Sequence, residues 1–414
     1  MARVMKDSGV RWIGDIPNNW NTSKLKYHVQ ISSGDTFPPE YQSDEELFPL
    51  YGGGELMGYS NKSNAKVGSL IVGRVGSCGS VNCPEKDFWA TDNALIIKSA
   101  LPLRYSYYLL IAANLKSLST SNAQPLITST KIKNVSIPLP PLAEQKAIAD
   151  FLDAKCGEID GLLSDLDAEI NVLQDYKKSI IAEVTTQGLN PNVKMKPSGI
   201  DWIGKIPAHW QVVPFRSYVV ERAEKNLGGR NQNLLALSFA LGVTRYADKK
   251  YNMDRVKDDF SGYQIVHEKD LVLSPNDIIK GSIFVSEYKG CISPMYRVFS
   301  NYDQNTYNLY YLSYHLRTKE SGRKFFYIAR GLIGEMLDNG KYVTRRMSVS
   351  QQDLLKFKVL LPPIEEQNEI VRYLDLKCAS IEQAIKDKNN QIETLKAYKS
   401  SLIYEYVTGK KQVL

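Results

Sequence analysis

One long stretch of this chain occurs twice. Residues 137–188 read IPLPPLAEQKAIADFLDAKCGEIDGLLSDLDAEINVLQDYKKSIIAEVTTQG, and the C-terminal end returns to VLLPPIEEQNEIVRYLDLKCASIEQAIKDKNNQIETLKAYKSSLIYEYVTG. An offset of 222 carries Pro140, Pro141, Glu144 and Gln145 onto Pro362, Pro363, Glu366 and Gln367. The same offset carries Leu152, Asp153, Lys155 and Cys156 onto Leu374, Asp375, Lys377 and Cys378, and Tyr176 and Lys177 onto Tyr398 and Lys399. In each copy a double proline stops the preceding strand, and Glu and Gln favour the first turn of a helix. Apolar residues then recur in steps of three and four. The first seam runs Ile148, Leu152, Cys156, Ile159, Leu163, Leu166, Ile170, Leu173, Tyr176, Ile180, Val184; the second runs Ile370, Leu374, Cys378, Ile381, Ile385, Lys388, Ile392, Leu395, Tyr398, Leu402, Tyr406. One narrow stripe of this kind is the coiled-coil signature. Each helix is roughly 45 residues, about 65 Å long at ~1.5 Å per residue. Such a helix needs a partner, and the chain supplies a matching one.

A second repeat precedes each half. SGVRWIGDIPNNW, residues 8–20, returns as SGIDWIGKIPAHW, residues 198–210, at an offset of 190. Trp12, Ile13, Gly14, Ile16, Pro17 and Trp20 recur as Trp202, Ile203, Gly204, Ile206, Pro207 and Trp210. These tryptophans are expected to anchor the lead-in segment to its domain, with docking of a partner protein as the alternative. The offsets 190 and 222 differ, so the material between the motifs is longer in the second half. Each half reads as lead-in, variable globular region, long helix. The simplest closed arrangement is a pseudo-two-fold one with antiparallel helices and the chain ends close together.

At 414 residues the chain exceeds one compact core, and two or three domains are expected. Its 43% hydrophobic and 23% charged residues are those of an ordinary globular protein. No run of about 18 apolar residues argues for a membrane span, and the N-terminus has no signal-peptide core. The five cysteines (Cys78, Cys83, Cys156, Cys291, Cys378) are odd in number and scattered, which favours a reducing cytoplasm. Cys156 and Cys378 lie on the two seams and read as small core residues. The four histidines show no zinc-ligand spacing, so no metal is expected. A net charge of +7 permits nucleic-acid binding without demanding it.

The variable regions, roughly 21–136 and 211–358, look like mixed sheet. Aligning Leu70–Ile71–Val72 with Leu271–Val272–Leu273, an offset of 201, sets the loop GRVGSCGS (73–80) opposite SPNDIIKG (274–281). A scaffold kept twice with different loops suits the reading of two different targets. No phosphate-binding loop and no Rossmann pattern opening a helix is present, so no nucleotide cofactor is expected. The Asn/Asp-Pro-Pro-aromatic motif of adenine methyltransferases is missing. Asp277 with Glu287-x-Lys289 resembles the carboxylate pair and lysine of a Mg²⁺-dependent nuclease. The 201 offset maps these to Gly76, Lys86 and Phe88, so the first half lacks the pattern.

Two copies of a Leu-Pro-Pro-(Leu/Ile)-x-Glu-Gln helix, each preceded by a Trp-Ile-Gly-x-Ile-Pro-x-x-Trp domain, resemble the specificity subunit of Type I restriction-modification systems. The resemblance covers essentially the whole chain. It implies an α+β fold: two mixed target-recognition domains joined by two long antiparallel coiled-coil helices. The expected boundaries are 1–139 for the first recognition domain and 140–188 for the first spacer helix. They continue with 189–361 for the linker and second recognition domain, and 362–414 for the second spacer helix. The resemblance further implies a non-catalytic chain in a prokaryotic cytoplasm that reads a split, asymmetric DNA site. Its partners would be double-stranded DNA and two modification subunits that methylate adenine, together with restriction subunits. S-adenosylmethionine, ATP and Mg²⁺ would be bound by those partners. Two readers on a bar of about 65 Å can reach groove segments a helical turn apart, ~34–36 Å. The alternatives from other classes are a stand-alone Mg²⁺-dependent nuclease and a coiled-coil scaffold with carbohydrate- or protein-binding domains.

For DNA contact the first region offers Arg74, Ser77 and Ser80 on the glycine loop, with Tyr51 and with Gln124 in the polar stretch STSNAQPLITSTK. Arg pairs bidentately with guanine and Gln with adenine. The second region offers Asn276 and Lys280 on the matching loop, and Arg330, Arg345 and Arg346. Arg345 and Arg346 suit phosphates, which position without specifying.

Lys388 replaces Leu166 at the seam midpoint. Its amine either snorkels to the edge or pairs with an acid such as Asp165 or Asp167, and it is expected to help set helix register. Lys388→Leu should then raise the melting temperature or leave it flat. A large loss in thermal unfolding would mark a required ion pair instead.

Overall fold

The computed structural model describes residues 3–120, 125–239, 241–248, 259–331, 335–336, 342–343 and 347–413. Its helices are α1 (Leu103–Ala112), α2 (Ser129–Lys133), α3 (Leu142–Gln187), α4 (Leu309–Leu316), α5 (Lys319–Ile328), α6 (Gln351–Lys356) and α7 (Ile364–Val407). The repeated stretches are therefore single helices of 46 and 44 residues. Each begins directly after its double proline. Just beyond their ends lie Gly188 and Gly409, with φ of 78° and 73°, the left-handed stop that glycine adopts without a Cβ penalty. Contacts divide the chain into two units: residues 1–168 with 388–414, and residues 169–387. Each unit thus holds the first half of one long helix and the last half of the other. No helix among the described residues is long and apolar enough to cross a membrane.

Within the first unit, the segments of α3 and α7 run antiparallel. Phe151 meets Tyr406 at 4.4 Å between ring centroids, and Lys399 Nζ lies 2.6 Å from Asp160. Within the second unit, Lys177 pairs with Glu382. The 222 offset turns the first ion pair into the second, so the repeat extends to individual contacts. The seam differs from the sequence expectation at one position in each helix. Tyr176 and Tyr398 are 50% and 54% exposed, while Lys177 and Lys399 make the ion pairs. Alternating steps of three and four from Ile170 and Leu173 land on Lys177, then Ile180 and Val184; the expected seam took two steps of three and slipped by one residue. Cys156 and Cys378 are buried in the seam as free thiols. Lys388 is half-buried.

Each unit has its own four-stranded antiparallel sheet of the same order. In the first unit the order is Val29–Ser33, Ala94–Ser99, Leu70–Gly73, Val81–Asn82; in the second it is Val219–Glu221, Arg297–Asn301, Leu271–Leu273, Ile283–Val285. Ile71 pairs with Ile96 and with Asn82, and Val272 pairs with Val298 and with Phe284. The expected alignment of Leu70–Val72 with Leu271–Leu273 therefore holds. The connection to the next strand is one residue longer in the second unit, which raises the offset to 202 beyond it. Glu287 and Lys289 consequently correspond to Glu85 and Asp87, a correction to the expected Lys86 and Phe88. Outside this sheet the halves diverge. The first carries a second four-stranded sheet, while the second has two-stranded pairs over 235–245 and 264–292.

The two repeated motifs meet inside each unit. Trp20 Nε1 donates to Glu144 Oε2 at 2.9 Å, and Trp210 Nε1 donates to Glu366 Oε2 at 3.0 Å. Both indoles are fully buried. The neighbouring Gln145 and Gln367 donate to Pro140 O and Pro362 O, each at 2.8 Å, closing the helix start. The C-terminal end of the other helix caps the junction: a Cβ on Gly409 would meet Pro17 at 2.4 Å, and one on Gly188 would meet Glu366 at 2.7 Å and Trp210 at 3.3 Å. In the first unit Lys410 Nζ also donates to Ile13 O and Asp15 O. The lead-in at the chain start and the helix end at the chain terminus are thereby in contact.

Burial raises the Glu144 pKa, but hydrogen bonds from Arg3, Trp20 and Asn19 outweigh it and hold the carboxyl below its ordinary range. An acid with a lowered folded pKa stabilises fully above its unfolded value, about 4.3 for Glu. That stability is lost as pH falls through the folded value. Glu144→Gln should cost about 1–2 kcal/mol at neutral pH, as a charge-assisted bond becomes a neutral one. In urea unfolding across pH, the gap to wild type should close as pH drops below about 4. A gap that stays constant down to acid would contradict the charged lock.

Candidate nucleic-acid interface

Buried Leu70, Ile71 and Val72 fix the strand that delivers the first loop. The loop then folds against a glycine turn. The hairpin of Phe48–Gly52 and Glu55–Ser60 turns at Gly53 and Gly54, with φ of 61° and 95°. A Cβ on Gly53 would lie 2.4 Å from Val75 O, and one on Gly54 would lie 2.0 Å from Ser80 Oγ and 3.0 Å from Gly73 Cα. Only bare backbone allows this approach. Ser80 Oγ donates to Ser77 O at 2.7 Å, Asn82 donates to Gly54 O, and Ser77 Oγ donates to Glu55. The hairpin tip and the loop form one platform.

Of the sequence candidates, Tyr51, Arg74, Ser77 and Ser80 are brought together here. Arg74 is half-buried, and its carbonyl accepts from Ile127 N at 3.0 Å. That bond ties the segment leading into α2 onto the loop. Tyr51 lies edge-on to Phe88 at 6.0 Å, and burial pushes its phenol up, so its ring sits on the flank of the platform. The hydroxyls of Ser77 and Ser80 are already engaged within the protein. Gln124 lies outside the described residues. The sequence reasoning missed Glu55, the exposed carboxylate that accepts from Ser77. Its signal was its place at the end of the glycine run GGGE, where a turn presents a side chain.

In the second unit the corresponding loop begins at buried Ser274 and makes a 3-10 turn over Ile278–Lys280. Ser274 Oγ lies 3.2 Å from Asp277 Oδ2. Ile278 is buried beneath the loop, Asn276 is half-buried and the Lys280 side chain is 76% exposed. Val349 N donates to Pro275 O at 3.1 Å, the counterpart of Ile127 on Arg74. Arg330 pairs by backbone with Ser348, and its 82% exposed side chain reaches within 3.7 Å of Asp353. Asn276, Lys280 and Arg330 are therefore tied to one surface through 348–349. Arg345 and Arg346 lie outside the described residues. Glu287 accepts from Tyr310 Oη at 2.7 Å, while Asp277 is held by Ser274. Among the described residues no three metal-ligating side chains gather.

The family model for the Type I restriction modification DNA specificity domain matches residues 17–171 and again 243–394, together more than half of the chain. The chain belongs to that family. Each matched stretch contains one of the two loops. The MjaVIII type I restriction enzyme specificity subunit of Methanocaldococcus jannaschii is 26% identical over 367 residues, covering 85% of this chain and 77% of that one. The EcoDI specificity subunit of Escherichia coli is 21% identical, over 96% of this chain and 90% of the relative. A second M. jannaschii protein, assigned as the MjaX specificity subunit, is 27% identical over 70% of this chain. The matched stretch spans 62% of that relative's length. A solved structure from work on complex assembly and conformational transition of the type I R-M system superposes with a TM-score of 0.63 at 14% identity. It covers 96% of this chain and 99% of that one, and it supports the specificity-family fold.

The platform of this specificity-family chain is testable without any ligand. Gly54→Ala places a methyl against Ser80 Oγ at positive φ and should cost about 3 kcal/mol. Denaturant unfolding monitored by tryptophan fluorescence checks this. A loss below about 0.5 kcal/mol would mean that hairpin and loop are not locked.

Proposed function

We propose that this chain is the DNA-specificity subunit of a Type I restriction-modification enzyme, reading a split, asymmetric site. One observation carries the reading: two matched copies of the specificity domain present different loops from the same sheet position. The first region uses Arg74 for bidentate recognition of guanine and Gln124 for a neighbouring edge, with Ser77 and Ser80 holding the loop and offering their hydroxyl oxygens as acceptors. The second uses Asn276 for adenine and Lys280 with Arg330, Arg345 and Arg346 for phosphates. Two non-identical readers select two non-identical half-sites, and α3 and α7, each shared by both units, connect them. The chain contributes selection and assembly, not bond making. Two modification subunits dock on it and supply adenine methylation with their S-adenosylmethionine. Restriction subunits bring ATP and Mg²⁺. The setting is the prokaryotic cytoplasm.

The test is modified-base sequencing of the host genome with this gene present and deleted. Adenine methylation at one split motif should vanish on deletion. An unchanged methylation pattern, with the partner genes expressed, would overturn the reading.

A further inference from the structure

Among the described residues α5 has no counterpart in the first unit. There α1 is followed by a 3-10 turn, Leu115–Leu118, and the loop's Gly79 rests on it, a Cβ at that position lying 2.4 Å from Lys116 N. In the second unit a full helix stands in this place. Its inner face is Ser321, Gly322 and Phe325, all buried, with Phe325 stacked on Phe357 at 4.4 Å. A Cβ on Gly322 would come within 2.6 Å of Ile279 O. The missing side chain therefore lets α5 lie directly on the loop that carries Asn276 and Lys280.

The outer face is of a different kind. Lys319, Arg323, Phe326 and Tyr327 are exposed, Tyr327 by 80%. They fall at steps of four, three and one, which is one side of a helix, and Arg330 continues the same row just past its end. The only acid on α5, Glu320, is half-buried. Lys319 is within electrostatic reach of Asp175. No hydrogen bond or ion pair among the described residues holds the Arg323 guanidinium. Asp277 stands 3.9 Å from Lys280 on the adjoining loop. Two exposed cations beside two exposed rings offer positive charge to an anion and flat apolar surface to whatever adjoins it.

We propose that the outer face of α5 binds the sugar-phosphate backbone of duplex DNA beside the second half-site. Lys319 and Arg323 meet phosphates, and Phe326 and Tyr327 lie against the sugars. This rests on the specificity-subunit reading and adds an asymmetry to it: the second reader grips the backbone with an element not found among the described residues of the first. The contact positions the loop and carries no sequence information of its own.

The test uses the chain assembled with its modification subunits. Affinity for a duplex containing the methylated motif is measured across salt concentrations, against a scrambled duplex. In the Lys319→Ala/Arg323→Ala variant, affinity should fall about tenfold at moderate salt. The slope of log affinity against log salt should flatten by about 2, roughly 0.9 for each phosphate no longer neutralised. Tyr327→Ala should weaken binding about threefold with the slope unchanged, since it removes no charge. The methylated motif should stay the same in every variant. Unchanged affinity and slope, in a complex whose wild type prefers its motif, overturns the role of α5 alone. A wild-type complex that does not prefer its motif overturns both this proposal and the reading beneath it.

Discussion

The bond between a buried indole and a helix-initial carboxylate organises each half of this protein. Trp20 and Trp210 belong to lead-in segments, and Glu144 and Glu366 to the first turns of α3 and α7. A buried indole N–H must find an acceptor, and a carboxylate at a helix N-terminus is favoured by the helix dipole. The pair satisfies both demands at once. It fixes where the domain ends and where the helix begins, to within a hydrogen-bond length. The strands Asn21–Lys24 with Ser136–Leu139, and Gln211–Pro214 with Lys358–Leu361, run out from this junction in the same register. Between those strands a few positions still pack on the junction, as Tyr311 does edge-on to Trp210 at 6.4 Å, while the loops that leave the sheet vary in length and sequence.

The variation is already visible next to the lock. Gln367 Oε1 accepts from Asn308 N at 2.8 Å, at the start of α4. Gln145 Oε1 is buried without a partner among the described residues, and the residue just before α1 is Pro102, which has no N–H to give. Further along each long helix the halves match again: Tyr108 and Tyr314 donate to Asp153 and Asp375, both at 2.7 Å. A repeated frame therefore tolerates an orphaned acceptor when the variable domain brings a different helix start. The same tolerance lets the two loops differ completely while leaving the sheet from the same place.

Much of this was legible in the sequence, and for a physical reason. Helix seams and double prolines leave strong periodic marks, so the long helices and their repeat were readable. Leu70–Val72 and Leu271–Leu273 aligned because fully buried strands read as short apolar runs. The role of Glu144 was not legible, since a helix-initial acid looks the same whether it binds solvent or an indole. Tyr176 and Tyr398 were misplaced because an amphipathic ring passes for a seam residue when the heptad phase is taken one residue early. Glu55 and α5 went unnoticed because their meaning lies in what they fold against: the loop 73–80 in one case, the loop 274–281 in the other.

The central claim is that two separate platforms each read one half of a split site. Modified-base sequencing of cells carrying loop variants tests it most directly. One strain would carry Arg74→Ala with Ser77→Ala, and another Asn276→Ala with Lys280→Ala. The account predicts that the first pair relaxes or abolishes selectivity in one half of the methylated motif only, and the second pair in the other half only. Both pairs altering the same half, or neither altering the motif while methylation persists, would contradict it.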